Sequence, residues 1–350
     1  MTDPTAAETL WYTRCPVPSA LSIALHLGWL EHAFANDGIE VRSLASAADQ
    51  ATRQAHFDYS QPALFRHGGN GPPLMQLARG SDIRILGMSS HTTWRPILTL
   101  PDSGIVQPTD LRGKRLGLPY RDGESTDFWR AAALRGREGL LRSASLMESD
   151  VLSVPVRTHR PFLEGSNRSA DPKASLWDGA YMLGHQREEA FALIRGEIDA
   201  FYSHGAMAAL VQGFLGARTV IDLGTLDSPI HANNDVPLLL TVSGALLDRR
   251  PDLVQRWLVQ VLRAVDWASE HEPQARAYIA QDAGLMPDLL DRAYSPELVG
   301  QLDIDLSDRH LALLREQHDH LLRHGLLAAP VDLHKAVDPR PLAAARAALR

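Results

Sequence analysis

The segment "TLWYTRCPVPSALSIALHLGWLEHAF" (residues 9–34) shows the pattern on which the chain is built. Residues 9–14 read as a strand, and Ser19 is a residue type that often begins a helix. Beyond Ser19 the apolar residues recur at roughly helical spacing, at Leu21, Ala24, Leu25, Leu27 and Leu30. The segment therefore predicts a strand, a stiff connection that contains Cys15, and a helix.

Strand-like and helix-like segments alternate along the rest of the chain. Further strands are predicted at 39–44, 55–60, 82–90, 96–100, 115–119, 150–156, 197–203, 218–223 and 236–247. Further helices are predicted at 62–69, 250–271, 273–284 and 308–325, and the polar segment 157–179 is predicted to be a long loop. This alternation favours an α/β fold with two mainly parallel sheets flanked by helices.

Two crossings between sheets divide the chain into two predicted lobes. The segment "GIVQPTDLRGKRLGLPY" (104–120) reads as the crossing into the second lobe, and an apolar strand pattern returns at 236–247. We predict that lobe I comprises residues 1–102 and 228–350, and that lobe II comprises residues 103–227. In such folds the ligand binds in the cleft between the lobes, outside the carboxyl ends of the strands.

The composition describes an ordinary soluble protein. Of the 350 residues 45% are hydrophobic and 22% charged, and the net charge of −7 gives no support for nucleic-acid binding or an anionic membrane surface. The first residues lack the basic and apolar regions of a secretory signal, and no apolar run reaches the roughly 18 residues of a membrane span. We expect a cytoplasmic monomer whose partner is a small molecule, with no nucleic-acid or membrane partner.

Cys15 is the only cysteine, which excludes an internal disulfide and a cysteine-based metal cluster. A lone cysteine is most often a small buried apolar residue. Here it precedes a predicted helix N-terminus, follows Arg14 directly, and is followed by Pro16 and Pro18. The helix dipole and a neighbouring cation favour the thiolate, whereas burial in an apolar cleft favours the thiol. Cys15 is therefore a candidate reactive group as well as a candidate core residue.

A second motif, "HFDYSQPALFRHGGNGPPL" (56–74), offers an anion site. Arg66 is expected on a helix that begins at Pro62, and the backbone amides of Gly68 and Gly69 are expected to be exposed where that helix ends. A guanidinium and free amides together bind anions with two or three oxygens. The alternative is a surface arginine followed by a glycine turn.

His56 begins the second motif, at the start of a predicted strand. Like Cys15, it lies at a predicted strand–helix junction of lobe I, although a lone histidine there is more often structural. A thiol, an imidazole and the guanidinium of Arg66 on one edge of a cleft would supply a nucleophile or acid, its hydrogen-bond partner and an anion clamp.

Two further features are interpreted as structural. His318, His320 and His324 occupy one predicted helix, and a solvated helix face is favoured over a metal site because no carboxylate is placed beside them as in a zinc protease. Trp129 is most simply a helix-packing residue, although a tryptophan near a cleft can stack on an aromatic ligand.

The segments "YTRCPVPSAL" (12–21) and 56–74 resemble the hydroxybiphenyl sulfinate desulfinase family. Looser similarity, for example in "DLRGKRLGL" (110–118) and "GEIDAFYS" (196–203), extends to two-lobed solute-binding proteins for nitrate, sulfonates and taurine. The resemblance implies a periplasmic-binding-protein type II fold. It also implies a hydrolase acting on carbon–sulfur bonds, which releases sulfite from an aryl sulfinate with no metal or organic cofactor.

The same resemblance assigns roles to residues of both segments. It implies that Cys15, His56 and Arg66 are catalytic. The candidate substrate-binding residues are Pro16, Phe57, Gln61, Gly68, Gly69 and Trp129. The thiol would either attack the sulfinate sulfur or give its proton to the ring carbon that loses sulfur. The sequence leaves both routes open.

Departures from the family leave alternatives open. Residues 120–190 resemble the family poorly, and Thr13-Arg14 stand where the family has smaller uncharged polar residues. The alternatives are an anion-binding protein without catalysis and a desulfinase-like enzyme that acts on a different sulfinate or carboxylate. The related pyrimidine-precursor synthase of thiamine biosynthesis carries a cysteine-rich motif, which a chain with one cysteine cannot supply.

Overall fold

The computed structural model describes residues 8–124, 126–163, 185–226, 233 and 236–350. These residues form two five-stranded sheets. The first contains β1 (Thr9–Arg14), β2 (Glu40–Ser43), β3 (Leu64–Gly68), β4 (Ile83–Ser89) and β10 (Leu238–Ser243), in the order β2-β1-β3-β10-β4. The second contains β5 (Pro96–Thr99), β6 (Arg115–Arg121), β7 (Leu152–Thr158), β8 (Ala200–Tyr202) and β9 (Arg218–Asp222), in the order β7-β6-β8-β5-β9.

Each sheet is mainly parallel and contains one reversed strand. In the first sheet β1 runs parallel to β2 and β3, whereas β10 is antiparallel to β3 and β4. In the second sheet β6 runs parallel to β7 and β8, whereas β5 is antiparallel to β8 and β9. The predicted α/β fold with two mainly parallel sheets is confirmed. Because β1 and β3 are parallel, the residues that follow them meet at one edge of the first sheet.

The strand predicted at 96–100 lies in the second sheet, although the predicted boundaries include it in lobe I. Ile97 pairs with Tyr202 of β8 and with Ile221 of β9, so β5 belongs to the second sheet. The chain therefore crosses between the sheets before residue 96, not after residue 102. The sequence alone favours pairing of β4 with β5, because strands that follow each other in the chain are usually neighbours in a sheet.

The α-helices of the described residues cover most of the remaining chain. They are α1 (Ala20–His26), α2 (Trp29–Ala35), α3 (Gln50–Asp58), α4 (Gly71–Leu77), α5 (Phe128–Ser143), α6 (Arg187–Ile194), α7 (Gly205–Leu215), α8 (Gly244–Arg249), α9 (Pro251–Glu270), α10 (Glu272–Ala283), α11 (Leu290–Ala293), α12 (Asp308–Arg323), α13 (Leu333–Ala336) and α14 (Arg340–Ala348).

Helix α9 covers one face of the first sheet. Trp257 of α9 is fully buried, and its ring stacks on Phe65 of β3 with 4.1 Å between the ring centroids. Side chains alternate across a strand, so Arg66 points to the opposite face of the sheet from Phe65. Packing of α9 therefore fixes the direction in which Arg66 points.

Two predictions between residues 50 and 69 are wrong. Residues 55–60 do not form a strand, because α3 begins after Asp49, whose side chain accepts a hydrogen bond from the Thr52 amide at 2.7 Å. Residues 62–69 do not form a helix, because 64–68 form β3 between β1 and β10. Short apolar segments in a fully buried strand carry no periodicity that separates them from a helix.

The prediction that the histidines of α12 lie on a solvated face is wrong. His320 is fully buried and His318 is 8% exposed. Helix α5 lies against this face, and the Glu138 carboxylate contacts His320 and His324. The sequence pattern of one helix does not reveal such a partner, because α5 is distant in the chain.

Two further predictions concern the long polar loop and membrane-spanning segments. Most of the predicted loop at 157–179 lies outside the described residues, and β7 extends to Thr158. Among the described helices, none has the length and apolar character that crossing a bilayer requires.

Candidate active site

Cys15 lies directly after β1, at the edge of the first sheet. Its amide donates to the His67 carbonyl at 3.0 Å, and its carbonyl accepts from the Val17 amide at 2.8 Å. Ser19 begins α1 as predicted, since its hydroxyl oxygen accepts a hydrogen bond from the Ser22 amide at 3.3 Å. The proline-containing connection therefore holds a partly exposed thiol in a fixed backbone position.

The side chain of Arg14 does not turn toward the thiol. Its guanidinium is buried, pairs with the Asp282 carboxylate at 2.8 Å and donates to the Ser22 hydroxyl at 3.0 Å. Burial alone would raise the pKa of Asp282, but the charge of Arg14 and a hydrogen bond to His26 outweigh it and lower that pKa. Arg14 thus joins the end of β1 to α1 and α10, and another residue supplies positive charge at the sulfur.

That residue is Arg66, which is fully buried on β3. Its Nη2 lies 3.6 Å from Cys15 Sγ, its Nε donates to the His56 carbonyl at 3.2 Å, and its Nη1 donates to the Gly69 carbonyl at 2.8 Å. Two backbone carbonyls therefore hold the planar guanidinium in place beside the sulfur. A fixed cation at this distance stabilises a thiolate relative to a thiol.

His56 lies in the last turn of α3 and faces the same sulfur. Its Nε2 is 4.0 Å from Cys15 Sγ, and its Nδ1 is hydrogen-bonded to the Thr13 hydroxyl at 2.8 Å. Burial lowers the pKa of His56 well below its ordinary value, and the charge of Arg66 lowers it further. The ring is therefore neutral at neutral pH, and its orientation is set by Thr13.

Gly68 makes room for the thiol. A Cβ atom at this position would lie 2.3 Å from Cys15 Sγ and 2.9 Å from Cys15 Cβ, so any side chain here would displace the cysteine. The sequence predicted that the backbone amide of Gly69 would bind an anion. In the structure, the Gly69 carbonyl accepts a hydrogen bond from Arg66. The glycine pair thus permits close approach and holds the guanidinium.

Of the other predicted binding residues, Pro16 and Phe57 are buried next to Cys15 and His56 in the chain, whereas Gln61 comes before β3. Pro16 is buried beside Cys15, and Phe57 is buried beside His56, with ring centroids 4.8 Å apart in an edge-on arrangement. Gln61 precedes β3, and its side-chain amide lies 3.5 Å from the Thr52 hydroxyl. That Gln61 binds substrate stays a prediction.

Trp129 is a packing residue of α5. Its side chain is 2% exposed, and its Nε1–H donates to the Glu189 carboxylate at 3.0 Å. Burial raises the pKa of Glu189 to about 7, although the Trp129 hydrogen bond opposes that rise. The simpler of the two predictions for Trp129, helix packing, describes its surroundings.

Three phenylalanine rings, called here the aromatic wall, pack together beside His56, and the sequence predicted only Phe57 of the three as a binding residue. The wall consists of Phe57 from the first sheet's side and of Phe128 and Phe162 from the second. The Phe128 and Phe162 rings stack at 4.3 Å between centroids, and Phe57 lies 5.7 Å from Phe162. The guanidinium of Arg121 lies over the Phe162 ring at 4.1 Å. The imidazole of His56 therefore lies beside a cluster of aromatic rings in which Phe57 and Phe162 are themselves buried.

A group of possible metal ligands does not include Cys15 or His56. In the described part of the chain, Glu138, His320 and His324 each place one ligand atom within 4.8 Å of the others, between α5 and α12. No comparable third ligand joins Cys15 and His56 among the described residues.

Known proteins similar to this chain include two named desulfinases. A 2'-hydroxybiphenyl-2-sulfinate desulfinase from Rhodococcus erythropolis is 30% identical to this chain over 356 aligned positions, covering 96% of this chain and 93% of the relative. A desulfinase of the same name from Rhodococcus qingshengii matches equally well. The chain belongs to the 2'-hydroxybiphenyl-2-sulfinate desulfinase family.

Solved structures place this desulfinase-family chain in the expected fold. The crystal structure of the desulfurization enzyme DszB matches with a TM-score of 0.77 and 30% identity, covering 98% of this chain and 100% of that one. A cysteine-to-serine variant of DszB in complex with biphenyl-2-sulfinic acid also has a TM-score of 0.77. The periplasmic aliphatic sulphonate-binding protein SsuA from Escherichia coli, 17% identical with a TM-score of 0.62, covers 95% of this chain and 93% of its own and shares the fold.

The family model described as NMT1/THI5 like matches residues 20–154. The predicted resemblance to the desulfinase family and the predicted type II periplasmic-binding-protein fold are both confirmed. From the second lobe the sequence singles out only Trp129 as a binding candidate, although Arg121 and Phe128 carry a positional signal as well. Arg121 ends β6, and Phe128 adjoins the tryptophan that the sequence did single out. Ligands in such folds lie outside the carboxyl ends of strands, which is where both residues are.

Proposed function

We propose that this protein is a desulfinase that cleaves the carbon–sulfur bond of an aryl sulfinate and releases sulfite without a cofactor. The observation that carries the proposal is the position of the Arg66 guanidinium, 3.6 Å from Cys15 Sγ, with His56 Nε2 4.0 Å from the same sulfur. A sulfinate presents two anionic oxygens and one electrophilic sulfur, so a fixed cation beside a thiol suits it. Membership of the desulfinase family supports the same substrate class.

The aromatic wall of Phe57, Phe128 and Phe162 favours an aryl over an alkyl sulfinate. Its three rings lie within 6.3 Å of one another, centroid to centroid, and span both sheets. An aryl ring packed against Phe57 would lie beside His56, whose Nε2 is 4.0 Å from Cys15 Sγ. Family membership and this wall together favour a biaryl such as 2'-hydroxybiphenyl-2-sulfinate.

The overall reaction is a hydrolysis, because aryl sulfinate and water give the arene and bisulfite. On one route the thiolate attacks sulfur, the carbon–sulfur bond breaks, the aryl carbon takes a proton, and water then cleaves the thiosulfonate-type adduct to bisulfite and free thiol. On the other route the thiol protonates the ring carbon, sulfur dioxide leaves, and water hydrates it to bisulfite and returns the proton. Arg66 supports both routes, because each passes through a thiolate.

His56 acts on these routes as a neutral hydrogen-bond partner. Its lowered pKa, caused by burial and by Arg66, removes the imidazolium as a proton source at neutral pH. The proton that reaches the ring carbon then comes from the thiol or from water. Thr13 holds the ring with its Nε2 toward the sulfur.

The decisive experiment is a sulfite-release assay with a panel of aryl and alkyl sulfinates. Wild-type protein should release sulfite from aryl substrates, and Cys15→Ser should release none while binding the same substrate. A wild-type protein that binds aryl sulfinates but releases no sulfite would instead be an anion-binding protein. Release by Cys15→Ser at the wild-type rate would show that the thiol is not catalytic.

Mass spectrometry of rapidly quenched turnover separates the two routes. An adduct on Cys15 with the added mass of sulfur and two oxygens supports attack at sulfur. A quenched sample with unmodified Cys15 during steady turnover supports protonation of the ring carbon.

The proposal extends to a cytoplasmic, monomeric enzyme. A catalytic thiol must stay reduced, which suits the cytoplasm. Fractionation of cells and light scattering of the purified protein test the two statements.

A further inference from the structure

Glu138, His320 and His324 form a compact cluster between two helices that belong to different layers of the molecule. Glu138 lies on α5, which packs on β6 of the second sheet, and His320 lies on α12, whose Leu321 shares a core cluster with Ile85 of the first sheet. His320 Nδ1 is 3.2 Å from one Glu138 oxygen, and His324 Nε2 is 2.7 Å from the other. The cluster therefore joins the two layers far from Cys15 in sequence.

The hydrogen bonds of His320 leave a place for a cation. Its Nε2 is 3.2 Å from the Ala131 carbonyl, which only accepts, so that nitrogen carries the N–H. In the neutral ring, Nδ1 then has a lone pair that faces a carboxylate oxygen. Two acceptors face each other stably only when a proton or a metal ion lies between them. A ring that donates one nitrogen to a backbone carbonyl is the usual arrangement of a metal-bound histidine.

The spacing of the ligand atoms suits a first-row transition metal. Zinc binds histidine nitrogen at about 2.0–2.1 Å and carboxylate oxygen at about 2.0–2.2 Å, so tetrahedral ligand atoms lie roughly 3.3–3.5 Å apart. The three ligand atoms of the cluster lie within 4.8 Å of one another. Glu138 and His324 have side chains 20% and 27% exposed, so they can adjust and a fourth ligand from solvent can approach.

Two arginines near Glu138, the buried Arg135 and the exposed Arg323, compete with a metal ion for its carboxylate. Arg135 and Arg323 contact its oxygens at 3.3 Å and 3.4 Å, longer than the 2.7–2.9 Å typical of charge-assisted hydrogen bonds. The Arg323 side chain is 58% exposed and can move into solvent. The carboxylate therefore remains accessible to a more strongly bound cation.

We propose that Glu138, His320 and His324 bind one divalent transition-metal ion of the zinc type, with water as the fourth ligand, and that this ion joins α5 to α12. Two histidine nitrogens and one carboxylate oxygen form a donor set that zinc accepts readily. The site is independent of the proposed desulfinase reaction, since it shares no residue with the thiol site.

Isothermal titration of chelator-treated protein with Zn²⁺ tests the proposal. Wild type and Cys15→Ser should each bind one ion at this site, so that binding by the thiol is distinguished from binding here. His324→Ala and Glu138→Gln should weaken zinc binding about 100-fold or more, whereas the matched control His334→Ala, which replaces an exposed histidine, should not change it. Arg323→Ala should tighten binding, because a competing cation is removed.

Co²⁺ provides a second measurement that does not depend on the fate of any variant. Intense visible absorption bands on titration of the wild type indicate tetrahedral nitrogen and oxygen ligands. The proposal is overturned if His324→Ala binds zinc as tightly as the wild type. It is also overturned if wild-type protein binds no zinc.

Discussion

Replacing Gly68 by alanine displaces the thiol without removing any group that contacts it. The new Cβ would lie 2.3 Å from Cys15 Sγ and 3.3 Å from the Cys15 amide nitrogen. Non-bonded heavy atoms pack at about 3.5–4.0 Å, so the sulfur or β3 must move by roughly 1.2 Å or more. Movement of that size removes the present 3.6 Å contact of the sulfur with Arg66.

The expected loss of activity is large compared with the expected loss of stability. Misplacement of a reacting group by about 1 Å can lower a rate about 100-fold. Overpacking a buried site costs about 1–3 kcal/mol of folding free energy. We therefore expect Gly68→Ala to remain folded and to lower kcat/KM for sulfite release about 100-fold or more.

The assay measures sulfite release together with the rate at which a disulfide reagent modifies Cys15. Gly213→Ala is the matched control, because its Cβ would meet no atom within 4 Å, and it should leave both rates unchanged. If folded Gly68→Ala retained kcat/KM within about threefold of the wild type, a barrier change below about 0.7 kcal/mol, close contact of thiol and arginine would not be needed.

Three further predictions concern the surroundings of the thiol. Asp282→Ala leaves Arg14 buried and unpaired, so the free energy of unfolding should fall by about 3–5 kcal/mol in denaturant titrations, and an unchanged midpoint would contradict this. The pKa of Glu189 is raised by burial from 4.5 to about 7, so the wild type should lose stability as pH rises through this interval, and Glu189→Gln should be more stable at pH 8 by at most about 3 kcal/mol but not at pH 4. Parallel curves of melting temperature against pH would refute that statement. Phe162→Ala should raise KM about tenfold for aryl sulfinates and leave alkyl sulfinates unaffected, and equal losses for both would argue against the aromatic wall.

The sequence predicted the fold where its signals were local. The alternation of strands and helices, the Ser19 cap and the helix at 250–271 all concern neighbouring residues, and each corresponds to the structure. The assignment of β5 to a sheet was wrong because pairing between 96–99 and the strands at 200–202 and 218–222 is a long-range property. Sequence spacing carries little information about such pairs.

The site shows the same limit. Cys15, His56 and Arg66 were found because two compact motifs contain them, although the sequence put Arg66 on a helix and His56 on a strand. The expected contribution of Arg14 failed because its partner, Asp282, lies in a distant helix that no motif connects to it. The neutrality of His56 likewise depends on burial, which the sequence does not state.

The two halves of the site come from separate stretches of chain. The groups that would break the bond lie between Thr13 and Gly69, whereas Phe128 and Phe162, which pack on Phe57, come later in the chain and from the side of the other sheet. Substitutions in the later stretch can alter which arene is admitted while the sulfur, imidazole and guanidinium stay as they are. Reactivity and selectivity are therefore open to separate adjustment, by natural drift or in the laboratory.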